Sequence, residues 1–127
     1  MSIKIGINGL GRIGRMVIRS LIENNNKDID IKHINSRSNT EVVCSLLKHD
    51  SVHGKFNCRI THDDNHLILN GKKITFSQQT NLDQIKWKDR GVDFVLECTG
   101  KFNSKEKLIS HLNNGAKKVI VSGPCKN

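Results

Sequence analysis

The feature that most constrains this chain is the run Ile3-Lys4-Ile5-Gly6-Ile7-Asn8-Gly9-Leu10-Gly11-Arg12-Ile13-Gly14-Arg15, an apolar strand that enters a glycine loop and then a helix. Gly9, Gly11 and Gly14 hold the G-x-G-x-x-G positions. In a dinucleotide-binding turn the first glycine makes the tight bend, the second lets backbone approach a pyrophosphate, and the third lets the helix pack close on its strand. The N–H groups at the start of that helix, with its positive dipole end, favour an anion without a dedicated lysine. Glycines of this spacing also serve simple chain turns. The flanking strand and helix are what point to a ligand.

The pattern after the loop continues in kind. Ile13, Met16, Val17, Leu21 and Ile22 recur at helical spacing and give an amphipathic helix of about three turns that stops at Asn24-Asn25-Asn26. Ile29 to Ile34 alternates like a strand, completing β-α-β, whose right-handed crossover opens a crevice at the strand ends. Ser38-Asn39-Thr40-Glu41 has capping-box form, with Ser38 as the cap of a short helix carrying Val42, Val43, Leu46 and Leu47. Asp50 to Phe56 lacks periodicity and reads as a loop. Cys58 to Thr61, His66 to Leu69 and Lys73 to Phe76 read as strands, the last two joined by the hairpin turn Asn70-Gly71, with Ile85 and Trp87 packed beneath them. Val92 to Glu97 is a buried central strand ending in a ligand-facing turn at Cys98-Thr99-Gly100. Ser104 caps a third helix whose apolar face is Leu108, Ile109 and Leu112, Gly115 ends it, and Lys118 to Ser122 is the last strand.

Composition narrows the function. A chain of 127 residues fits one domain, 1–127, with a sizeable core. No signal-peptide-like or membrane-spanning run is present, so the expected setting is cytoplasmic, without a membrane partner. The four cysteines are widely spaced with no C-x-x-C pair, which argues against a disulfide framework or a zinc site. His62 and His66 around Asp63-Asp64 read as an acidic turn between strands rather than metal ligands. The net charge of +9 favours an anionic partner, either nucleotide phosphate or nucleic acid. With four Phe, one Trp and no Tyr, stacking platforms for a dedicated nucleic-acid module are few.

Taken in order, the pieces resemble the N-terminal coenzyme domain of the glyceraldehyde-3-phosphate dehydrogenase family. The resemblance rests on Gly6 to Arg15, Asp50 to Phe56, Ile85-Lys86-Trp87, Glu97-Cys98-Thr99-Gly100-Lys101-Phe102 and Gly115 to Ser122, and it runs end to end while covering only the first part of a family member. It implies an α/β fold, a Rossmann-like doubly wound and mostly parallel sheet with an antiparallel hairpin insert. It also implies NAD or NADP as cofactor, with Arg12 and Ile13 holding the pyrophosphate through backbone N–H groups and Asn8 beneath the dinucleotide beside Gly9 and Gly11. Thr99, Gly100 and Phe102 would lie along the adenosine, Thr80 near the adenine, and Ser122 by the nicotinamide.

Two departures from the family pattern matter. Where NAD-selective members carry an aspartate for the ribose hydroxyls, this chain has Ser36 followed by Arg37, a neutral and a cationic residue suited to a 2′-phosphate. The family's Ser-Cys-Thr-Thr-Asn nucleophile motif does not occur in the sequence, and Cys125 precedes that motif's place, so no catalytic residue is assigned. The reading is therefore a coenzyme-binding half that is inactive alone and would need a catalytic domain as partner, from a family of homotetramers. An erythrose-4-phosphate dehydrogenase is the alternative within this class. A non-catalytic nucleotide- or RNA-binding module is the alternative outside it.

Overall fold

The computed structural model describes residues 3–23, 28–49, 59–81, 84–98 and 105–121. Strands β1 (Ile3–Asn8), β2 (Ile29–Asn35), β3 (Ile60–His62), β4 (His66–Leu69), β5 (Lys72–Ser77), β6 (Phe94–Glu97) and β7 (Lys118–Val121) form one sheet in the order β3-β4-β5-β2-β1-β6-β7. The five strands from β5 to β7 run parallel, while β3 and β4 pair antiparallel at one edge. Helices α1 (Arg12–Glu23), α2 (Thr40–His49) and α3 (Lys105–Asn113) fill the crossovers. This is the expected doubly wound arrangement with an antiparallel hairpin, and β5 belongs to both parts. Among the described residues no helix is long and apolar enough to cross a membrane.

The two faces of the sheet are built differently. Side chains alternate across a strand, so Ile5 and Ile7 of β1 fall on one face with Ile34, Ile74 and Phe76, where α2 adds Val43 and Leu47 to a buried apolar cluster. α1 packs there through Ile18, with Val17, Leu21 and Ile22 partly buried. Ile13 and Met16 of the expected apolar stripe stay exposed, because the stripe that meets the sheet is centred on Gly14 and Ile18. On the other face lie Gly6, Asn8, His33, Asn35, Thr75 and Ser77, together with Val95 and Glu97. A bulge makes this possible: Ile5 faces Ile31 but Gly6 faces His33, so Lys32 is extra and β2 switches parity.

Trp87 and Ile85 depart from expectation. They do not lie under the hairpin but join Val92, Val95 and Ala116 in a second cluster on the polar face. Gly6 is what admits the indole, since a Cβ there would sit 2.5 Å from the Trp87 ring. α3 also turns unexpectedly, burying His111 while Ile109 and Leu112 remain exposed. At α2 the cap is Asn39, not Ser38: Asn39 Oδ1 accepts the Val42 N–H at 2.9 Å, whereas the Ser38 N–H is donated to Ser36 Oγ at 3.2 Å. The β4–β5 turn has φ of 52° at Asn70 and 84° at Gly71, the positive pair that a two-residue hairpin loop requires. The expected turn at 24–26, the loop at 50–56 and the Ser104 cap lie outside the described residues.

Candidate functional site

At the C-terminal ends of β1 and β2 the chain leaves an open groove of about 180 Å³, lined by Asn8, Gly9, Leu10, Gly11, Asn35, Ser36, Arg37, Ser38, Gln79 and Thr80. This is where ligands settle in open α/β sheets. Gly9 has φ of 96°, and its backbone donates to the Asn35 carbonyl at 2.8 Å. A Cβ at Gly14 would collide with the Gly9 carbonyl oxygen, so the third glycine is needed for the helix to reach the loop. Gly11 is different. Among the described residues a Cβ there would meet nothing nearer than the Cys98 carbonyl oxygen at 3.9 Å. No packing contact among the described residues demands a glycine at 11, and the position lines the groove.

The Gly11 carbonyl accepts the Arg15 N–H at 3.1 Å as the first bond of α1, so the N–H groups of Arg12, Ile13 and Gly14 have no acceptor within the helix. No acidic side chain stands in its first turn, and the Arg15 guanidinium braces the loop by donating to the Leu10 carbonyl at 3.1 Å. Ser36 is buried with its Oγ accepting from Ser38, while Arg37 is exposed at the groove and bonds Gln78 Nε2 only through its backbone carbonyl. None of the described residues that line the groove is acidic.

Beneath the groove runs a buried polar chain. The Trp87 Nε1–H donates to His111 Nδ1 at 2.9 Å, which fixes the tautomer with its proton on Nε2, and that proton goes to Glu97 Oε1 at 2.7 Å. Asn8 Nδ2 donates to the same carboxylate oxygen at 2.7 Å, and Asn35 Nδ2 donates to Asn8 Oδ1 at 2.8 Å. Asn35 Oδ1 accepts from Ser77 Oγ at 2.6 Å and from the Gln79 N–H at 2.8 Å. His33 closes the far end, with Nδ1 2.7 Å from Thr75 Oγ1 and Nε2 2.8 Å from Ser77 Oγ. Burial, aided by the nearby Arg90 charge, pushes the His33 pKa down to about 4. At neutral pH its ring thus carries one proton for two hydroxyl neighbours, of which Ser77 Oγ donates its own proton to Asn35 and Thr75 Oγ1 donates to the Lys32 carbonyl at 3.0 Å.

Of the residues expected at the site, Asn8, Gly9, Gly11, Ser36, Arg37 and Thr80 line this groove, and Arg12 and Ile13 open the adjacent helix with exposed side chains. The Asn8 side chain is fully engaged with Glu97 and Asn35. Thr99, Gly100, Phe102 and Ser122 lie outside the described residues. Asn35 and Gln79 were not expected, although a polar residue closing an apolar strand was a signal for the first. At the acidic turn, His66 Nδ1 sits 2.9 Å from Asp63 Oδ1 and the Asn65 N–H bonds the same oxygen, which together hold the Asp63 carboxyl below its usual range. No cluster of potential metal ligands occurs among the described residues, where the Cys44 and Cys98 side chains are buried.

Comparison with known proteins agrees with this geometry. Residues 3–105 match the family model described as glyceraldehyde 3-phosphate dehydrogenase, NAD binding domain. The chain is 46% identical over 123 residues to the glyceraldehyde-3-phosphate dehydrogenase of Thermotoga maritima, covering 97% of this chain and 37% of that protein. It is 42% identical over 127 residues to the Geobacillus stearothermophilus enzyme, covering 100% and 37%, and 46% identical over 123 residues to that of Colletotrichum lindemuthianum, covering 96% and 36%. The chain thus spans little more than a third of the length of these relatives. Sequence, fold and groove agree, and the chain belongs to the glyceraldehyde-3-phosphate dehydrogenase family as a form of its NAD-binding domain.

Proposed function

We propose that this chain is the coenzyme-binding part of a phosphorylating aldehyde dehydrogenase acting on glyceraldehyde 3-phosphate, and that it holds either NAD or NADP. The observation that carries the reading is the groove of about 180 Å³ at the ends of β1 and β2, where Gly9 and Gly11 adjoin the start of α1, whose first N–H groups have no acceptor within the helix. Arg12 and Ile13 would hold the pyrophosphate by backbone donation, Asn8 would floor the site, and Thr80 would stand by the adenine. Thr99, Gly100 and Phe102 along the adenosine, and Ser122 by the nicotinamide, complete the reading from the family resemblance. The coenzyme supplies hydride acceptance when bound. The nucleophile and base belong to sequence that these 127 residues do not include, so the chain alone is expected to oxidise no aldehyde.

The ribose end distinguishes the two coenzymes. An aspartate at position 36 would repel a 2′-phosphate, whereas here Ser36 is neutral, Arg37 is exposed at the groove, and none of the described residues lining it is acidic. Calorimetric titration with each coenzyme tests this. We expect saturable one-to-one binding of both, with Arg37→Ala weakening NADP about tenfold while NAD changes little, since a charge-assisted bond to phosphate is lost. Equal losses for NAD and NADP, or none, would refute a phosphate clamp. Binding of neither coenzyme would refute the wider reading.

A further inference from the structure

We propose that Glu97, which does not line the groove, is a positioning residue for the adenosine side of the coenzyme, acting through Asn8 and Asn35 on the Gln79–Thr80 wall. The inference rests on the coenzyme reading of the groove. Its physical basis is the direction of the hydrogen bonds. Glu97 Oε1 already accepts the His111 proton at 2.7 Å, and as an acceptor it obliges Asn8 to present Nδ2 to it, also at 2.7 Å. Asn8 must then offer Oδ1 to its other neighbour, and Asn35 must answer with Nδ2, at 2.8 Å. Asn35 Oδ1 is left facing the other way, where it accepts the Gln79 N–H at 2.8 Å while Nδ2 also donates to the Gln79 carbonyl at 2.9 Å.

One carboxylate therefore sets which way two amides face. The far side of that carboxylate is equally one-directional, because the indole N–H of Trp87 can only donate and so fixes His111 as donor to Glu97. The consequence falls on Gln79. β5 ends at Ser77, yet the Asn35 amide bonds both the N–H and the carbonyl of Gln79, as a further rung of the ladder would. Gln79 and Thr80 line the groove together with Ser36 to Ser38. Asn35, with both amide protons and both oxygen lone-pair sites engaged, holds that wall in place.

The test compares Glu97→Gln and Asn35→Asp with the unmodified chain. Glutamine has the same shape but offers a donor as well as an acceptor, so it releases the direction of the chain without opening a cavity. Aspartate places an acceptor against Asn8 Oδ1 and the Gln79 carbonyl. AMP and NAD are titrated calorimetrically, and amide hydrogen exchange is followed without ligand. We expect Asn35→Asp to weaken AMP and NAD by the same factor, about tenfold or more, with Glu97→Gln showing the same pattern to a smaller extent. Exchange at Gln79 should quicken in both variants while the Val43 amide of α2 keeps its rate. Unchanged exchange at Gln79, uniform acceleration at all amides, or undiminished AMP affinity with a loosened Gln79 would overturn the proposal. Failure of the unmodified chain to bind AMP, NAD and NADP would instead overturn the coenzyme reading, and the exchange data would still decide whether Glu97 and Asn35 hold the wall.

Discussion

The two faces of the sheet perform different tasks with different forces. On the α1–α2 face Ile5, Ile7, Ile34, Ile74 and Phe76 exclude water through area, a force without direction that accepts many packings of similar volume. On the α3 face Asn8, Asn35, Glu97 and His111 are each almost wholly buried and joined in a single run of directed bonds. A buried polar group left unpaired costs more than its bond returns, so this face tolerates few arrangements. The apolar face contributes water-excluding area, and the polar face, which also carries the cluster of Ile85, Trp87 and Val95, contributes directed bonds beneath the groove.

Substitutions can pull the two contributions apart. The largest effect is expected on the apolar face: Ile34→Ala should cost about 2–5 kcal/mol in denaturant unfolding, while the folded fraction keeps its coenzyme affinity. A loss of affinity in the folded protein would show that the faces are not separable. The polar face should carry a pH signature. With the folded-state pKa of His33 lowered to about 4, both states hold a neutral ring above about pH 6.5, and only the unfolded chain gains a proton between about 6.5 and 4. Stability should therefore fall as pH drops through that window, by on the order of 2–3 kcal/mol from this group, and His33→Gln should flatten the fall in unfolding curves taken at successive pH values. A parallel pH profile in the variant would remove His33 from the account. The smallest effect belongs to neither face: breaking the exposed Arg19–Glu23 pair of α1 by Glu23→Ala should change stability by only about 0.3–0.5 kcal/mol, measurable as a slight shift in the urea midpoint.

What could be read from the sequence follows the same division. The glycine loop, β2 and the Asn70-Gly71 turn announce themselves because each is dictated by residues a few positions apart. The groove lined by Gly9, Gly11, Ser36, Arg37 and Thr80 was legible for the same reason, since a known turn places its residues in known order. The polar chain was not. Asn8 finds Glu97 at a separation of 89 residues, and the His111–Glu97 pair outranks the apolar pattern of α3, turning Ile109 and Leu112 outward. Hydropathy periodicity assumes that the buried face is the apolar one, and here a histidine with two buried partners overrides it. Trp87 was misplaced in the same way, because its position depends on the missing side chain at Gly6, far off in the chain. Ser38 lost the cap to Asn39 because α2 begins at Thr40, which makes Asn39 the residue whose side-chain oxygen meets the first free N–H groups.

The double membership of β5 also sets an order of events in folding. Its antiparallel partner β4 lies across a two-residue turn, and such hairpins close in roughly 1–10 μs. Its parallel partner β2 is reached only by bringing together residues 42 apart, as in the His33–Thr75 contact, and that closure is entropically slower. The hairpin thus presents a ready edge on which the parallel strands assemble, while the Asn8–Glu97 contact must wait for strands much farther apart. The contact that orients the amides beneath the groove therefore carries a larger loop-closure cost than the hairpin at the sheet's edge.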